Sequence, residues 1–198
     1  MTELYDREFS EQYDEMLKAR NWTGPDIVFG LMYEYIKPGE SLLDLGIGTG
    51  AGSFLFHKAG LKISGTDSSA EMLKVCEKKG FVSDLKCHDL SVLPYPYPDS
   101  EFHYAVSLGV FDHFRELYPV FKEIPRILVK GGMFGFTVGD RKEGQPGEYV
   151  RSMDVKLYRH CETDIMELLD HNGLRLKKLV EFEWRKEYLK AYIAEKQS

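Results

Sequence analysis

Cysteine is scarce in this chain, and the three that are present, Cys76, Cys87 and Cys161, are widely scattered. An odd and dispersed set predicts neither a disulfide framework nor a paired CxxC metal site. The chain also lacks an HExxH motif and clustered His and Asp residues, so we expect no bound metal. These absences favour a reducing, cytoplasmic location.

Long apolar runs are lacking as well. No stretch approaches the ~20 apolar residues that a membrane helix needs, and residues 1–6 have neither the basic nor the apolar region of a signal peptide. Positive charge is not in surplus either, because 26 Lys and Arg residues face 32 Asp and Glu residues, a net charge of −6. Nucleic-acid binders usually carry a basic stripe. We therefore expect neither a membrane partner nor a nucleic-acid partner.

The 198 residues instead alternate between strand-like and helix-like segments, which is typical of an α/β domain with a mostly parallel sheet. We predict strands at 41–45, 62–66, 85–88, 102–108, 133–138, 174–183 and 188–194. Helices are predicted from just after Ser10, at 24–36, at 50–59, from a capping box at Ser68 to 79, at 114–128 with a kink or early break at Pro125, and at 162–171. Residues 139–147 are predicted to be a mobile loop. We expect one domain over 1–198, with a helical cover at 1–37 and a core at 40–194.

A glycine-rich loop, Asp44-Leu45-Gly46-Ile47-Gly48-Thr49-Gly50, follows the first predicted strand. Glycines there let the backbone turn sharply and approach a ligand, and the next helix offers free N–H groups to that ligand. The spacing Gly46-x-Gly48-x-x-Ala51 also satisfies the dinucleotide pattern of dehydrogenases. The loop alone therefore leaves both cofactor classes open.

Three acidic residues narrow the choice. Asp67 ends the second strand, 21 residues after Gly46, where a carboxylate can accept both ribose hydroxyls of an adenosine. Asp89 ends the third strand, where it can meet the edge of an adenine. Asp44, beneath the glycine loop, would repel a pyrophosphate but suits a ligand that carries an ammonium and a sulfonium.

Five segments, taken in order, resemble parts of the class I S-adenosylmethionine (SAM)-dependent methyltransferases. Residues 43–50 resemble their motif I, residues 65–73 their strand-two turn and residues 88–90 their adenine-contacting segment. Residues 102–108 resemble their fourth strand, and residues 127–132 resemble the turn into the fifth. The resemblance covers roughly residues 40–194. It implies a Rossmann-like seven-stranded sheet in the order 3-2-1-4-5-7-6, with one antiparallel strand near the edge and helices on both faces. A narrower likeness, over 106–112 and 123–126, is to the methyltransferase-like proteins of the Williams–Beuren region, and it implies no substrate.

The resemblance also implies a set of SAM-binding residues. Gly46 and Gly48 would face the methionine part, Asp67 would hold the ribose, Met72, Asp89 and Leu90 would lie near the adenine, and Ser107 and Leu108 would form the floor near the sulfonium. Residues 5–14 resemble an N-terminal element that closes over SAM. The full predicted set is Tyr13, Asp44, Gly46, Gly48, Thr49, Gly50, Asp67, Ser68, Met72, Asp89, Leu90, Ser107 and Leu108.

His113 is the predicted catalytic residue. It follows the fourth strand, and in this fold ligands sit at the carboxyl ends of the strands, so His113 could serve as a general base. The alternative is that Asp112 caps the next helix and His113 packs beside it. His160 is a second candidate, whose alternative is a structural role. His57, His88 and His103 are expected to pack or to face solvent. The segment 107–111 lacks the Pro-Pro-aromatic motif that accompanies methylation of nucleic-acid bases or glutamine, which disfavours those acceptors.

The sequence therefore predicts a SAM-dependent methyltransferase with a small-molecule acceptor. Aromatic residues of the cover and the 139–160 loop, namely Tyr5, Phe9, Tyr13, Trp22, Tyr149 and Tyr158, favour a partly apolar acceptor. One alternative is a non-catalytic SAM-binding or regulatory protein. Another is an NAD(P)-dependent oxidoreductase, which would need a second nucleotide-binding half that 198 residues barely allow. Both a monomer and a homodimer remain compatible with the sequence.

Overall fold

The structure, a computed structural model, describes residues 6–142, 147–151 and 155–197. The helices are α1 (Arg7–Ala19), α2 (Gly24–Met32), α3 (Phe54–Lys58), α4 (Ala70–Lys78), α5 (Tyr118–Ile127) and α6 (Glu162–His171), with 3₁₀ turns at Tyr33–Tyr35 and Phe111–His113. The strands are β1 (Ser41–Leu45), β2 (Lys62–Asp67), β3 (Val82–Cys87), β4 (Phe102–Ser107), β5 (Leu128–Gly139), β6 (Glu148–Arg151), β7 (Val155–Tyr158), β8 (Leu174–Trp184) and β9 (Glu187–Lys196). Within these ranges, no helix is long and apolar enough to cross a membrane.

Seven of the strands form one sheet in the order β3-β2-β1-β4-β5-β9-β8. Numbered without the separate pair β6-β7, this is the predicted order 3-2-1-4-5-7-6, which is confirmed. The first five strands are parallel, and β9 runs antiparallel to β5. The strand order reverses between β1 and β4, so their carboxyl ends open the crevice in which this fold binds ligands.

The core lies on both faces of the sheet because β1 is apolar on both. Leu42 packs in one cluster with α2, α3 and Ile63 of β2. Leu43 and Leu45 pack on the opposite face, in a second cluster with α5 and α6. This alternation is the period-two pattern of a strand, and burial on both faces is typical of a central parallel strand. The carboxyl end of β1 is therefore held firmly at the crevice.

Several helices begin at residues other than the predicted ones. Helix α1 begins at Arg7, earlier than predicted, because the side chain of Asp6 accepts a hydrogen bond from the Phe9 N–H at 2.9 Å and caps the helix. Helix α4 is capped by Ser69, which accepts from the Met72 N–H at 3.3 Å, and not by Ser68 as predicted. Helix α3 is shorter than predicted, since it spans only Phe54–Lys58.

Two further differences lie beside the crevice. The helix predicted from residue 114 begins at Tyr118, after the 3₁₀ turn Phe111–His113, and it includes Pro125 and ends two residues later, so the predicted break does not precede the proline. The predicted loop is followed by a hairpin that was not predicted, in which Glu148 pairs with Tyr158 and Arg151 with Val155. This hairpin and the 3₁₀ turn lie on the same side of the crevice.

Candidate active site

The carboxyl ends of β1, β2 and β4 meet beneath α1 and enclose a cavity of about 90 Å³. A second cavity of about 50 Å³ continues along the glycine loop, and Tyr13, Gly46, Gly48 and Leu108 line both. All of the predicted cofactor-binding residues line one of these two cavities except Gly50 and Ser107. Topology therefore brings together residues that are up to 95 positions apart between Tyr13 and Leu108.

The glycine loop turns tightly over the end of β1. The N–H groups of Gly46 and Ile47 both donate to the Thr66 carbonyl, at 2.8 and 3.0 Å. Gly48 has a φ of +55°, and a Cβ built on it would meet nothing within 4 Å. Its missing side chain therefore leaves open space in the cavity wall, which a ligand can fill.

Asp44 lies beneath this loop and is only 2 % exposed. One carboxylate oxygen accepts a hydrogen bond from the Ser53 hydroxyl, whereas Oδ1 is buried and has no hydrogen-bond partner. Burial raises the pKa of Asp44 to about 7, against the opposing effect of the Ser53 hydrogen bond. A buried acceptor without a partner is costly, so this wall of the smaller cavity is suited to a cationic or donor group.

Asp67 connects the end of β2 to the glycine loop. Its Oδ2 accepts from the Gly48 N–H and its Oδ1 from the Ser69 N–H, both at 2.9 Å. Burial raises its pKa, although these backbone hydrogen bonds act in the opposite direction. Asp67 lines the larger cavity, where its carboxylate can also accept hydrogen bonds from a ligand.

Asp89, Leu90 and Met72 form the next part of the wall. Asp89 Oδ1 accepts from the backbone N–H and the hydroxyl of Ser91, at 2.9 and 2.8 Å, and the backbone bond is the main reason that the pKa of Asp89 is lowered. Leu90 and Met72 are buried. A charged acceptor thus stands beside two apolar side chains, an arrangement that suits the edge and face of a heterocyclic ring.

Two predicted residues do not reach the cavity surface. Ser107 is fully buried, and its hydroxyl donates to the Leu45 carbonyl at 3.0 Å, so it ties β4 to β1 and does not form the cavity floor. Gly50 faces away from the cavity, since a Cβ there would lie 2.8 Å from Cys76 Sγ and 2.9 Å from the Phe81 ring. Leu108, in contrast, lines both cavities.

Helix α1 covers the site, and Asp14 is one of the residues that fasten it. Asp14 accepts from the Thr49 hydroxyl at 2.5 Å and also pairs with Lys79 at the end of α4. Tyr13, one position earlier, lines both cavities. The space under α1 is smaller than the roughly 300–1,000 Å³ of ordinary ligand pockets. We therefore expect α1 to move outward when a ligand enters.

His113 and Phe114 line the larger cavity, after the end of β4. The adjacent Asp112 does not cap the next helix, which begins only at Tyr118; its Oδ1 accepts from the Gly139 N–H at 2.7 Å. This bond fastens the 3₁₀ turn to the end of β5. His113 therefore stands on a braced turn at the cavity edge.

His160 lies outside the cavity lining. It is 8 % exposed, and its Nε2 is 3.2 Å from the Phe111 carbonyl oxygen. Burial lowers its pKa, so the ring is neutral near pH 7. The geometry favours the structural alternative, in which His160 supports the turn that carries His113.

Of the aromatic residues predicted to shape an acceptor pocket, Tyr13 and Trp22 both line the smaller cavity. Trp22 packs edge-on against Trp184 at 4.9 Å between ring centroids, and it lines the smaller cavity. Phe9 packs against Tyr13 at 5.7 Å, and Tyr158 borders a separate polar groove. Tyr5 and the side chain of Tyr149 lie outside the described residues.

Sequence reasoning missed several residues that shape the site, among them Asp14, which helps to fasten α1, and His88, Val110 and Phe114 in the cavity wall. Val110 packs on the glycine loop, since a Cβ on Gly46 would lie 2.5 Å from its Cγ2. A signal for Asp14 was present, because it lies next to Tyr13 in the segment expected to cover the ligand. For the other three, strand ends alone do not show which side chains turn inward.

Comparison with known proteins finds a methyltransferase domain over residues 43–136. The chain is 28% identical over 142 residues to phosphoethanolamine N-methyltransferase 2 of Caenorhabditis elegans, a match that covers 69% of this chain and 30% of that protein. It is 25% identical over 177 residues to the cypemycin N-terminal methyltransferase of a Streptomyces species, covering 87% and 72%. The chain spans less than a third of the length of two of the curated relatives that it matches.

The fold matches solved structures over its whole length. The magnesium protoporphyrin IX methyltransferase of Synechocystis PCC 6803, crystallised with bound SAH, superposes with a TM-score of 0.78 at 17% identity, and the match covers 100% of this chain and 98% of that one. At this identity the likeness concerns the fold.

Proposed function

We propose that this chain, which matches a methyltransferase domain over residues 43–136, is a class I SAM-dependent methyltransferase and transfers a methyl group from SAM to a small-molecule acceptor. The observation that carries the proposal is the buried Oδ1 of Asp44, which has no hydrogen-bond partner at the cavity wall. This oxygen suits the ammonium of a cationic cofactor, and its charge opposes the pyrophosphate of a dinucleotide.

The remaining residues fit the other parts of the same cofactor. Asp67, which lines the larger cavity, would accept the ribose hydroxyls. Asp89 would meet the adenine edge, and Leu90 and Met72 would pack on the ring. Gly48 would let the ligand approach the backbone, because no side chain fills that space.

When bound, SAM supplies an electrophilic methyl group on a good leaving group, and the protein's main contribution is positioning and exclusion of water. Helix α1 would exclude water through Tyr13, and the floor residue Leu108 would fix the reacting end. His113 would take the proton of an acceptor that arrives protonated. The hydrogen bond between Asp112 and Gly139 would keep His113 at the cavity edge.

We propose a small, partly apolar acceptor. Val110 and Phe114 flank His113 in the cavity, so the wall near the base is largely apolar. Relatives of the chain carry names that refer to phosphoethanolamine and to magnesium protoporphyrin IX, which are non-macromolecular acceptors. The net charge of −6 disfavours a polyanionic acceptor. A cytoplasmic location is supported by three free cysteines, two of them buried.

Asp67→Ala tests the cofactor site. We expect the affinity for SAM, measured by calorimetry, to fall at least about tenfold, since each lost charge-assisted hydrogen bond is worth roughly 1.5–3 kcal/mol. Asp84→Ala is the matched control, because Asp84 is an exposed carboxylate on the neighbouring strand, 3.5 Å from Lys86. Unchanged affinity of the folded Asp67→Ala protein would remove the ribose assignment.

Methyl transfer itself is tested with isotope-labelled SAM and a panel of small amines, phenols and carboxylic acids. Wild-type protein should label at least one of them. His113→Ala should then lower kcat/KM for a protonated acceptor about 10²–10⁴-fold, the usual contribution of a general base, while the affinity for SAM stays constant. Tight SAM binding without a labelled product, in the panel and in a cell extract, would favour a non-catalytic SAM-binding protein.

A further inference from the structure

A partly buried ion pair lies on α5, outside the lining of both cavities, and the Arg126 side chain in it is 25 % exposed. Arg126 donates to Glu123 from Nη2 at 2.7 Å and from Nε at 3.0 Å, and Glu123 is 7 % exposed. Burial alone would raise the pKa of Glu123, but the hydrogen bonds from Arg126 and from the Tyr95 N–H outweigh it and leave the pKa lowered. Because buried ion pairs contribute little net stability, a role in holding a specific geometry is the better explanation.

The ion pair is hydrogen-bonded to the loop that leads into β4. Glu123 Oε2 accepts from the Tyr95 N–H at 2.9 Å, and Arg126 Nη2 donates to the Tyr95 carbonyl at 3.1 Å. Arg126 Nη1 also donates to the Tyr97 carbonyl and to Asp99, both at 2.8 Å. Both main-chain polar groups of Tyr95 are therefore held by the same two side chains.

The side chain of Tyr95 reaches from the ion pair to the cavity wall. Its ring is 2 % exposed, and its hydroxyl donates to the Leu90 carbonyl at 3.2 Å. The ring also packs edge-on against His88, at 5.8 Å between centroids. His88 and Leu90 flank Asp89, and all three line the larger cavity.

The supported segment lies beyond the end of the sheet. Strand β3 ends at Cys87, so residues 88–90 follow the last ladder position, which pairs Asp67 with Cys87. The His88 N–H donates to the Asp67 carbonyl at 2.9 Å and fastens the start of the segment to β2, and a turn around Asp89 shapes the middle. The Tyr95 hydroxyl fastens the other end, at the Leu90 carbonyl.

We propose that Glu123, Arg126 and Tyr95 form a support that positions residues 88–90 against the adenine ring of the cofactor. The inference rests on the SAM site proposed above and adds residues that do not touch the ligand. Tyr95 and Arg126 are positioning residues in this account. Their loss should loosen adenine binding without unfolding the chain.

Tyr97 provides a matched control within the same loop. It is 4 % exposed, and its hydroxyl donates to the Gly65 carbonyl at 3.1 Å, a bond of the same kind as that of Tyr95. Gly65, however, lies inside β2 and is paired with both Asp44 and Leu85 in the sheet. Removing the Tyr97 hydroxyl therefore costs a similar hydrogen bond but leaves its acceptor in place.

The test compares Tyr95→Phe with Tyr97→Phe by calorimetric titration with S-adenosylhomocysteine at 25 °C and by thermal unfolding. Both variants should lose a similar, small amount of Tm. Only Tyr95→Phe should bind more weakly, by about three- to tenfold, the range expected when one hydrogen bond no longer holds a binding wall. Adenosine alone should show the same ratio, since the affected contact is with the adenine.

A second pair of variants repeats the test on the ion pair. Arg126→Lys keeps the charge but loses the fork that holds two loop carbonyls, and it should weaken S-adenosylhomocysteine binding. Arg175→Lys, in the exposed pair with Glu195 at 2.6 Å on β8, should not. If wild type fails to bind the ligand, the proposed SAM site is wrong. If wild type binds and Tyr95→Phe binds equally well, or Tyr97→Phe weakens equally, the positioning role is overturned.

Discussion

Three glycines of the loop after β1 share positive φ angles but need glycine for different reasons. Gly46 has a φ of +80° and is overlaid by Val110, whereas Gly50 has a φ of +81° and packs on Cys76. A side chain on either would collide with protein atoms. Of the three, only Gly48 faces open space. Glycine there allows the positive φ angle and leaves room for a ligand.

Comparing Gly48→Ala with a control glycine should therefore separate the loss of ligand space from the cost of backbone strain. An alanine at a φ of +55° costs about 1–2 kcal/mol of stability, and its methyl group would in addition occupy cofactor space. We expect both a lower Tm and a loss of SAM affinity. Gly80→Ala is the control, because Gly80 has a φ of +68° and equally open surroundings but lies at the end of α4. It should lose stability alone, and equal SAM binding by the two variants would contradict the assignment.

Asp44 should make SAM binding depend on pH. Burial raises its pKa to about 7 in the free protein, so the carboxyl is largely protonated at pH 6 and cannot attract an ammonium. Affinity should rise from pH 5.5 to about 7, and binding at pH 6.5 should release protons, which calorimetry in buffers of different ionisation enthalpy detects. Asp44→Asn should bind weakly with a flat profile over this range. A steep profile in Asp44→Asn would assign the titration to another group.

The same shift bears on stability. The pKa of Asp44 is raised on folding, so its favourable contribution is complete below the unfolded value near 3.8 and is lost as the pH rises to about 7. The ionised form destabilises the free protein by an amount on the order of a few kcal/mol. SAM binding should remove this cost, so the ligand should stabilise more at pH 7.5 than at pH 5.5.

The residues that could be predicted from the sequence were those whose role follows from chain position. Asp44, Asp67 and Asp89 stand at or just beyond the ends of adjacent parallel strands, and parallel strands align their carboxyl ends. Ser107 ends β4 in the same way, but its side chain points into the sheet, toward the Leu45 carbonyl. Motif spacing gives the strand end, whereas the pleat decides which face each side chain occupies.

At the scale of elements, Asp14 joins the cover to two parts of the core. It accepts from Thr49 in the glycine loop and pairs with Lys79, which follows α4. Because the two cavities beneath α1 are smaller than ordinary ligand pockets, we expect α1 to open and close around this residue.

Asp14→Ala should raise the rate of SAM dissociation several-fold and increase proteolysis within 7–19, with little change in the Tm of the core. The cause is loss of two partners that fasten α1. Glu15→Ala removes the next carboxylate on the same helix, whose pair with Lys18 is exposed and worth little. Stopped-flow displacement of a fluorescent SAM analogue measures the rates. Identical dissociation from both variants would show that Asp14 does not control the cover.

Elements were harder to predict where local signals compete. The start of α1 depends on a cap at Asp6, which lies three residues before Phe9, the residue whose N–H donates to it. The hairpin β6-β7 lies in a stretch whose charges and glycines favour a loop. Helix α5 starts late because the Phe111–His113 turn intervenes, and that turn is held by the distant Gly139. Tertiary contacts of this kind leave no periodic pattern in the chain.

At the scale of the whole molecule, the sheet order decides which cofactor fits. Placing β2 and β3 on one side of β1, and β4 on the other, brings three carboxylates to a single edge of the crevice, in a chain whose net charge is already −6. Such an edge attracts a cationic adenosine derivative and disfavours a dinucleotide with two phosphates. SAM and a dinucleotide both contain adenosine, so the charge of the rest of the ligand is what distinguishes them at this edge.

Ligand-induced stabilisation should show this selectivity in the intact protein. A ligand at a hundred times its Kd adds about 2.7 kcal/mol to the unfolding free energy, and for a chain of this length each kcal/mol raises Tm by about 2–4 °C. SAM and S-adenosylhomocysteine should therefore raise Tm by about 5–10 °C at saturating concentration, while NADH at the same concentration should leave it unchanged. Adenosine, which shares the ribose and adenine contacts but has no ammonium for Asp44, should give a smaller shift that does not vary between pH 5.5 and 7.5. A larger shift with NADH than with SAM would reverse the cofactor assignment, because the crevice would then favour the pyrophosphate that Asp44 is expected to repel.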